Sequence, residues 1–337
     1  MKRIIGLFVI LVLILGGLAY YQVFKAPALK SLAHEGVIYI HAGDQASEVL
    51  AQLDLDQPAL FGFIAKQKHY WSRIKPGRYR LTEDLSINAL IDLLRSGAQE
   101  PTQLVLNQVR DLEDLAGVLG DQMMHDSSTF SQFFGDERFW AEEGLPRPER
   151  LGYFLPNTYE VYWTEAPEAL YQRMKREAEA FWAQREMALA NCALNRHEVL
   201  TLASIVESET ARKDEMPLVA GLYLNRLEQG IKLQADPTVI FGVQQDYPDS
   251  VIRRVLFSHL RHPSAYNTYL HKGLPPGPIK LPQPAAIDAV LNAKQHGYIY
   301  MCADPDRPGY HAFAKGIREH NRNRAKYIRW LRMQRNS

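Results

Sequence analysis

Two glutamates stand in an otherwise apolar and small-residue stretch, residues 198–212. On a helix the side chains three and four positions from Glu207 are all small: Ala203, Ser204, Thr210 and Ala211. A carboxyl with small neighbours leaves space in front of it for a ligand, as a general acid requires. Glu209 lies about 200° further round the helix, so the two carboxyls cannot share one pocket face. The stretch therefore makes Glu207 a candidate catalytic acid, although this helix taken alone favours a surface or salt-bridged glutamate, and only the motifs that follow favour the acid.

The stretch itself is predicted to be a helix with one buried face. Asn195 can cap its first turn, and Glu198 stands three residues further on, which is the spacing of a capping box. Glu207 lies at the edge of an apolar stripe. The residues of that stripe recur at helical spacing: Val199, Leu202, Ala203, Val206 and Thr210.

The composition is that of a globular protein with room for two or three domains. The chain has 337 residues, 46% of them hydrophobic and 23% charged. Its net charge of +1 gives no support to a nucleic-acid partner. Cys192 and Cys302 lack the spacing of a metal site, and a disulfide between them is open. His311 and His320 also lack zinc-like spacing, so we predict no metal and no cofactor.

Residues 4–24 form an uncharged, largely apolar run of about the length that spans a bilayer. Lys2 and Arg3 precede the run, and this short basic segment favours an N-terminus inside and a body outside. A cleaved signal peptide is the alternative, although the run is longer than the apolar core of an ordinary signal peptide. We therefore predict a single-pass membrane anchor and tether at residues 1–30.

A small module at residues 31–108 is predicted to follow the anchor. Its pattern indicates a strand, two helices and a strand, an order that resembles a LysM module: 36–43, 46–53, 60–69 and 75–81. A further helix at 86–96, closed by Gly97, and a strand at 102–109 complete it.

Residues 109–337 are predicted to form a mixed domain of helices and strands, which makes the fold class α+β. Helices are expected at 110–122, 128–140, 166–190, 198–212, 214–228 and 284–292. Strands are expected at 298–303 and at the start of 310–323, which runs into the last helix. Segment 232–242 is expected to be strand or loop, and 264–291 a proline-rich loop. Eight Lys and Arg residues in 315–335 are typical of a solvated helix face, with contact to anionic lipid or wall polymer as the alternative.

Seven stretches of this sequence resemble the YceG-like family of endolytic murein transglycosylases. They occur in the family's order: GYFLPNTY (152–159), LASIVESET (202–210), AGLYLNRL (220–227), LQADPTVIFG (233–242), YNTY (266–269), GLPPGPI (273–279) and YHAFAKGIREHN (310–321). The succession of anchor, LysM-like module and catalytic domain resembles the family as well. One departure is Asn157, where many members carry aspartate, so an orienting role there would depend on hydrogen bonding alone.

The resemblance implies both a substrate and a reaction. The substrate is the glycan strand of peptidoglycan, cut between N-acetylmuramic acid and N-acetylglucosamine with a 1,6-anhydro product, and the cut ends strand elongation. Glu207 is implied to be the single acid and base. One carboxyl suffices when the sugar's own C6 hydroxyl is the nucleophile, because that attack is intramolecular. A catalytic domain on the periplasmic side of the inner membrane, with cell-wall synthases as partners, is also expected.

Eight further motif residues are candidates for substrate binding. Their amides, hydroxyls and carboxylate suit N-acetyl groups and sugar hydroxyls, and their prolines suit a stiff groove wall: Asn225, Gln234, Asp236, Tyr266, Asn267, Thr268, Pro275 and Pro276. Each has a structural alternative, such as capping, turn formation or loop shape. Two other functions stay open. One is a membrane-anchored peptidoglycan-binding scaffold without activity, and the other is a muramidase that uses Glu207 and Asp236 as two carboxylates.

Overall fold

The computed structural model describes residues 2–32, 34–107 and 109–336. Its described residues form helices and short two-stranded sheets, so the predicted mixture of the two is confirmed. The chain divides into two compact units. Unit 1 comprises Met1–Leu104, Gln122–Asp126 and Tyr159–Ala166, and unit 2 comprises Val105–Asp121, Ser127–Thr158 and Pro167–Ser337.

Unit 1 contains the predicted strand–helix–helix–strand order. Its elements are α1 (Lys2–Phe24), β1 (Val37–Ile40), α2 (Ala46–Ala51), α3 (Pro58–Gln67), β2 (Gly77–Arg80), α4 (Ile87–Ser96) and most of the sheet formed by β3 (Thr102–Val105) and β4 (Thr158–Val161). Strands β1 and β2 pair antiparallel, with Ile38 opposite Tyr79. The likeness of this unit to LysM stays a prediction, and Gln108 of the predicted strand 102–109 lies outside the described residues.

Local signals in unit 1 act as the sequence predicts. The Ser86 hydroxyl caps α4 by accepting a hydrogen bond from the Ala89 N–H, and Gly97 closes the helix with a left-handed φ of 75°. The buried face of α4, which includes Leu90 and Leu94, packs into the core of the unit.

Helix α1 begins the chain and is apolar along its length. The segment Arg3–Phe24 is long and apolar enough to cross a membrane, a property that a signal sequence shares. Its C-terminal end packs on unit 1, where Gln22 accepts a hydrogen bond from the Gln57 side chain and Val23 is buried. A membrane-spanning role for α1 is therefore consistent with its length and composition, and its orientation stays a prediction.

Unit 2 is mostly helical. Its elements are α5 (Leu112–Gln122), α6 (Ser127–Phe134), α7 (Glu137–Glu142), α8 (Pro167–Ala183), α9 (Glu186–Ala190), α10 (Arg196–Glu209), α11 (Met216–Glu228), α12 (Asp236–Asp246), α13 (Pro284–Leu291), β5 (Tyr300–Ala303), β6 (His311–Ala314) and α14 (Ile317–Asn336). Strands β5 and β6 form an antiparallel hairpin, and the predicted strand-to-helix passage at 310–323 is confirmed.

Helix α10 lies at the centre of unit 2. The predicted capping box is present, because Asn195 accepts from the Glu198 N–H while the Glu198 carboxylate accepts from the Asn195 N–H. All eight residues from 199 to 206 are buried, and α11 and α13 pack against the helix.

Three predicted elements of unit 2 differ from the structure. The expected strand or loop at 232–242 is wrong in its second half, where Asp236 and Pro237 begin α12; proline suits a first helical turn because it lacks an N–H to donate. The expected helix 128–140 ends at Phe134, and Asp136 caps a new helix by accepting from two N–H groups. The expected helix 166–190 is interrupted before Glu186, where the Arg185 side chain turns to pair with Asp288.

Close packing of α11 generates a prediction for Gly221. A Cβ there would lie 2.3 Å from the carbonyl oxygen of Lys294, whereas one on Gly117 of α5 would meet no atom within 4 Å. We expect Gly221→Ala to lower the free energy of unfolding by about 1–3 kcal/mol through overpacking. The control Gly117→Ala should leave it unchanged or raise it by up to ~1 kcal/mol. Denaturant titration of both variants checks this, and equal effects would contradict the packing described.

Candidate active site

Glu207 lines a cleft of about 580 Å³ on one side of α10. Its Oε2 accepts a hydrogen bond from the Gln283 N–H at 2.9 Å, and its Oε1 lies 3.3 Å from Lys280 Nζ. The side chain is 15% exposed. Among the described lining residues Glu207 is the one acid, and its neighbours include Asn107, Arg110, Ile240, Phe241, Gln244 and Lys280.

This cleft adjoins a second cavity of about 440 Å³. Arg110 and Phe241 line both, and the Phe241 ring packs against Tyr266 with 4.6 Å between centroids. We call the pair the Glu207 groove. Its two adjoining spaces and their mixed polar and aromatic lining suit a ligand with several sugar units.

The loop on one side of the groove is tied along α10 by three side chains. His197 Nε2 lies 2.7 Å from the Pro276 carbonyl oxygen, and Ser204 Oγ accepts from the Ile279 N–H at 3.0 Å. Glu207 makes the third tie, at Gln283. Both Glu207 oxygens therefore already have partners in this loop, which gives Glu207 a structural role in addition to its position at the groove.

Glu209 lies on another side of α10 and lines a separate cavity of about 380 Å³. We call this space the Glu209 cavity. Glu209 Oε1 accepts a hydrogen bond from the Tyr223 hydroxyl at 2.9 Å, and the described residues provide no hydrogen bond to Oε2. The lining is rich in polar groups drawn from distant parts of the sequence: Tyr223, Arg226, Gln234, Asp236, Tyr269, Tyr300, His311 and His320.

The electrostatics of the cavity favour the protonated form of Glu209. Burial raises the pKa of its carboxyl, and the nearby charge of Asp236 adds to the rise, while the Tyr223 hydrogen bond and His311 oppose it. Burial also raises the pKa of Tyr223, so its hydroxyl keeps its proton and donates. A raised pKa keeps a carboxyl protonated to higher pH, which suits a group that delivers a proton to a leaving oxygen.

Two of the predicted binding residues, Gln234 and Asp236, lie in the Glu209 cavity. Gln234 has a left-handed φ of 52°, and its side-chain oxygen accepts from Arg226 at 2.7 Å. Asp236 Oδ1 accepts from the Tyr269 hydroxyl at 2.7 Å. A non-glycine residue in this backbone region is unusual and tends to occur at functional sites, and substrate contact by Gln234 stays a prediction.

Three other predicted binders hold backbone segments in place. Asn225 Nδ2 donates to the carbonyl oxygens of His296 and Tyr298. Asn267 is fully buried and its amide donates to two carbonyl oxygens of the preceding loop. Thr268 Oγ1 accepts from the Ala235 N–H just before α12. These contacts match the structural alternatives, and substrate contact by these three residues stays a prediction.

Of the remaining candidates, Tyr266 is a lining residue of the Glu207 groove, and Pro275 and Pro276 belong to the loop that is tied to α10. Pro275 is buried and Pro276 is exposed. Sequence reasoning missed Tyr223 and Tyr269 and dismissed Glu209. The signal that could have found the two tyrosines is their position inside the motifs AGLYLNRL and YNTY. Cys192 and Cys302 are free thiols.

Comparisons with known proteins identify the family of this chain. The model of the YceG-like family matches residues 38–326. The chain belongs to the YceG-like family. A crystal structure of a yceG-like protein from Listeria monocytogenes shares the fold, with a TM-score of 0.57 at 24% identity over 85% of this chain and 98% of that one.

Two curated relatives carry one name, endolytic murein transglycosylase. The protein of Bacillus subtilis (strain 168) is 27% identical over 339 residues, covering 94% of this chain and 91% of the relative. The protein of Streptococcus pneumoniae (strain D39) is 27% identical over 295 residues, covering 80% of this chain. The chain spans about half, 53%, of that pneumococcal relative's length.

The raised pKa of Glu209 predicts a pH-dependent cost to stability. The folded state binds the Glu209 proton more tightly than the unfolded chain does. This tighter binding contributes fully to the free energy of unfolding below the unfolded pKa, about 4.3. The contribution is lost as the pH rises through the folded pKa. We expect Glu209→Gln to gain stability over the wild type as the pH rises from 5 to 8. Denaturation midpoints of the full chain check this. Glu228→Gln, at an exposed position, is the control, and a gain for Glu209→Gln no larger than for this control would contradict the prediction.

Proposed function

We propose that this chain is an endolytic murein transglycosylase that cuts glycan strands of peptidoglycan between N-acetylmuramic acid and N-acetylglucosamine. The observation that carries the proposal is the desolvated carboxyl of Glu209 in a cavity lined by polar side chains. The name of the curated relatives supports the reaction class.

In the proposed reaction Glu209 is the acid. Its proton passes to the bridging oxygen as the bond to the muramic acid C1 breaks. The C6 hydroxyl of the same sugar then attacks C1 and gives up its proton to a base, which closes the 1,6-anhydro ring and consumes no water. Because the nucleophile belongs to the substrate, proximity replaces a second enzyme carboxylate. Gln234, with its oxygen bound by Arg226, can direct its amide N–H groups at a sugar or N-acetyl oxygen.

The sequence prediction that Glu207 is the acid remains a rival within the same function. Glu209 is favoured because burial raises its pKa and the described residues leave its Oε2 without a partner, whereas both Glu207 oxygens are bound by the loop at Lys280 and Gln283. In this proposal the Glu207 groove contacts the glycan strand away from the reacting bond.

The finer features of the predicted cell-wall role are part of the proposal. Helix α1 would anchor the chain in the cytoplasmic membrane, with the remainder on the outer side, where nascent strands are made. Unit 1 would act as a LysM-like glycan-binding module. Cleavage close to the membrane would end strand elongation, with cell-wall synthases as partners.

Two isosteric variants separate the candidate acids. We expect Glu209→Gln to lower the rate of anhydro-muramoyl product release by about 10²–10⁴-fold, because an amide cannot donate the required proton. Glu207→Gln should cost less, since the amide oxygen can still accept from the Gln283 N–H. Mass spectrometry of digested sacculi measures both. The reverse order would restore Glu207 as the acid, and a wild-type protein without product would favour the non-catalytic scaffold.

A two-carboxylate muramidase is the second candidate, because Asp236 and Glu209 line the same cavity. Hydrolysis takes an oxygen atom from water into the new reducing end, whereas the intramolecular reaction takes none. We expect digestion in heavy-oxygen water to leave the anhydro ends unlabelled. Labelled reducing ends that disappear in Asp236→Asn would identify a hydrolase.

A further inference from the structure

His311 is held by a buried carboxylate at the edge of the Glu209 cavity. Glu215 precedes α11 and its side chain is 2% exposed. Its Oε1 accepts from the backbone N–H of His311 at 2.7 Å, and its Oε2 lies 2.9 Å from His311 Nδ1. The Glu215 carboxylate thus contacts both the backbone N–H and the imidazole ring of His311. These two contacts hold the ring in one orientation.

This geometry sets the chemistry of the imidazole. A carboxylate has only acceptor atoms, so Nδ1 carries the proton in the contact with Glu215. In the neutral ring Nε2 is then the unprotonated nitrogen, and it can accept a proton. His311 is 18% exposed and lines the cavity into which Glu209 opens. The described residues provide no partner for Nε2.

We propose that His311 is the general base of the site and takes the proton from the C6 hydroxyl of the muramic acid residue. The inference rests on the proposed function. As the Glu209 proton passes to the leaving oxygen, the C6 oxygen bonds to C1 and its proton passes to His311 Nε2. The step leaves a Glu209 carboxylate and an imidazolium paired with Glu215. Solvent then returns one proton to Glu209 and removes one from His311, so the cycle needs no other reactant.

A base role explains why His311 lines the cavity, and a purely structural role does not. A histidine that only braced the hairpin would be satisfied by its contact with Glu215, whereas His311 also lines the cavity that contains Glu209. With an acid and a base in one cavity, the attacking hydroxyl gains nucleophilicity while the leaving oxygen is protonated. Each of these contributions is typically worth about 10²–10⁴-fold in rate.

The pH dependence of this base follows from its surroundings. Glu215 faces the ring directly, and Asp214 binds the hydroxyl of the adjoining Tyr310, whose ring lies under Arg212. The other ionisable groups of the cavity come from α10, α11, α12, the loop before Gly273, β5 and α14: Glu209, Tyr223, Arg226, Asp236, Tyr269, Tyr300, Cys302 and His320. The base accepts a proton only as the neutral imidazole, so activity must fall at low pH. It must also fall at high pH as Glu209 loses its proton.

The test is the pH profile of kcat/KM for the full-length protein on purified glycan strands. We expect a bell-shaped wild-type profile. His311→Ala should lower kcat by about 10²–10⁴-fold. Its profile should lose the acid limb, which is the fall in kcat/KM at low pH. Free imidazole should restore part of its rate. Glu215→Gln removes the charge that stabilises the imidazolium, so its acid limb should move to lower pH. His259→Gln, in unit 2 at a position that lines neither the Glu207 groove nor the Glu209 cavity, is the matched control and should keep the wild-type profile.

The outcomes separate this inference from the function on which it rests. An unchanged acid limb in His311→Ala, or a loss that imidazole does not restore in a variant with the wild-type circular dichroism spectrum, would overturn the base role. If His311→Ala fails to fold, the Glu215→Gln variant provides the test. An acid limb that does not shift in Glu215→Gln would also overturn the base role of His311. Full activity of Glu209→Gln would instead remove the proposed acid, whatever His311 does.

Discussion

The burial of helix α10 is the constraint on which the site depends. Because its residues 199 to 206 are all buried, the helix can present acidic side chains to a ligand only where it leaves the core. Glu207 and Glu209 both follow that buried stretch, and the turn of the helix sends them to different sides. One reaches a groove beside a tethered loop, and the other reaches a polar cavity. The arrangement gives two carboxyls two environments on a single rigid element.

The polar residues of the motifs divide between scaffolding and chemistry. Arg226 is buried and burial lowers the pKa of its guanidinium, a cost that its hydrogen bonds to Lys232, Ile299 and Gln234 offset. Those same bonds hold the loop before α12 and the start of the β5–β6 hairpin around the Glu209 cavity. A motif residue can thus be essential to the site without touching a ligand.

Elements whose signals are local were predictable. The capping box of α10, the Ser86 cap and Gly97 stop of α4, and the apolar α1 all follow from residues within one or two turns of each other. Where the prediction was wrong, a tertiary contact or a competing local signal determined the secondary structure of the segment. The segment at 232–242 has a strand-like pattern, yet Asp236 and Pro237 begin a helix whose apolar residues pack into the core.

The sequence alone determined the helix that carries the two glutamates, the order of elements around it and the family to which its motifs point. It ranked Glu207 above Glu209 from their helical neighbours alone, and these describe the space along one helix and not the atoms that other segments bring to it. The residues that share the cavity with Glu209 include Tyr223, Tyr269 and members of the β5–β6 hairpin, which lie from 14 to about 100 residues away along the chain. Only the tertiary structure brings these atoms together, and the pKa of a carboxyl depends on the total environment they create.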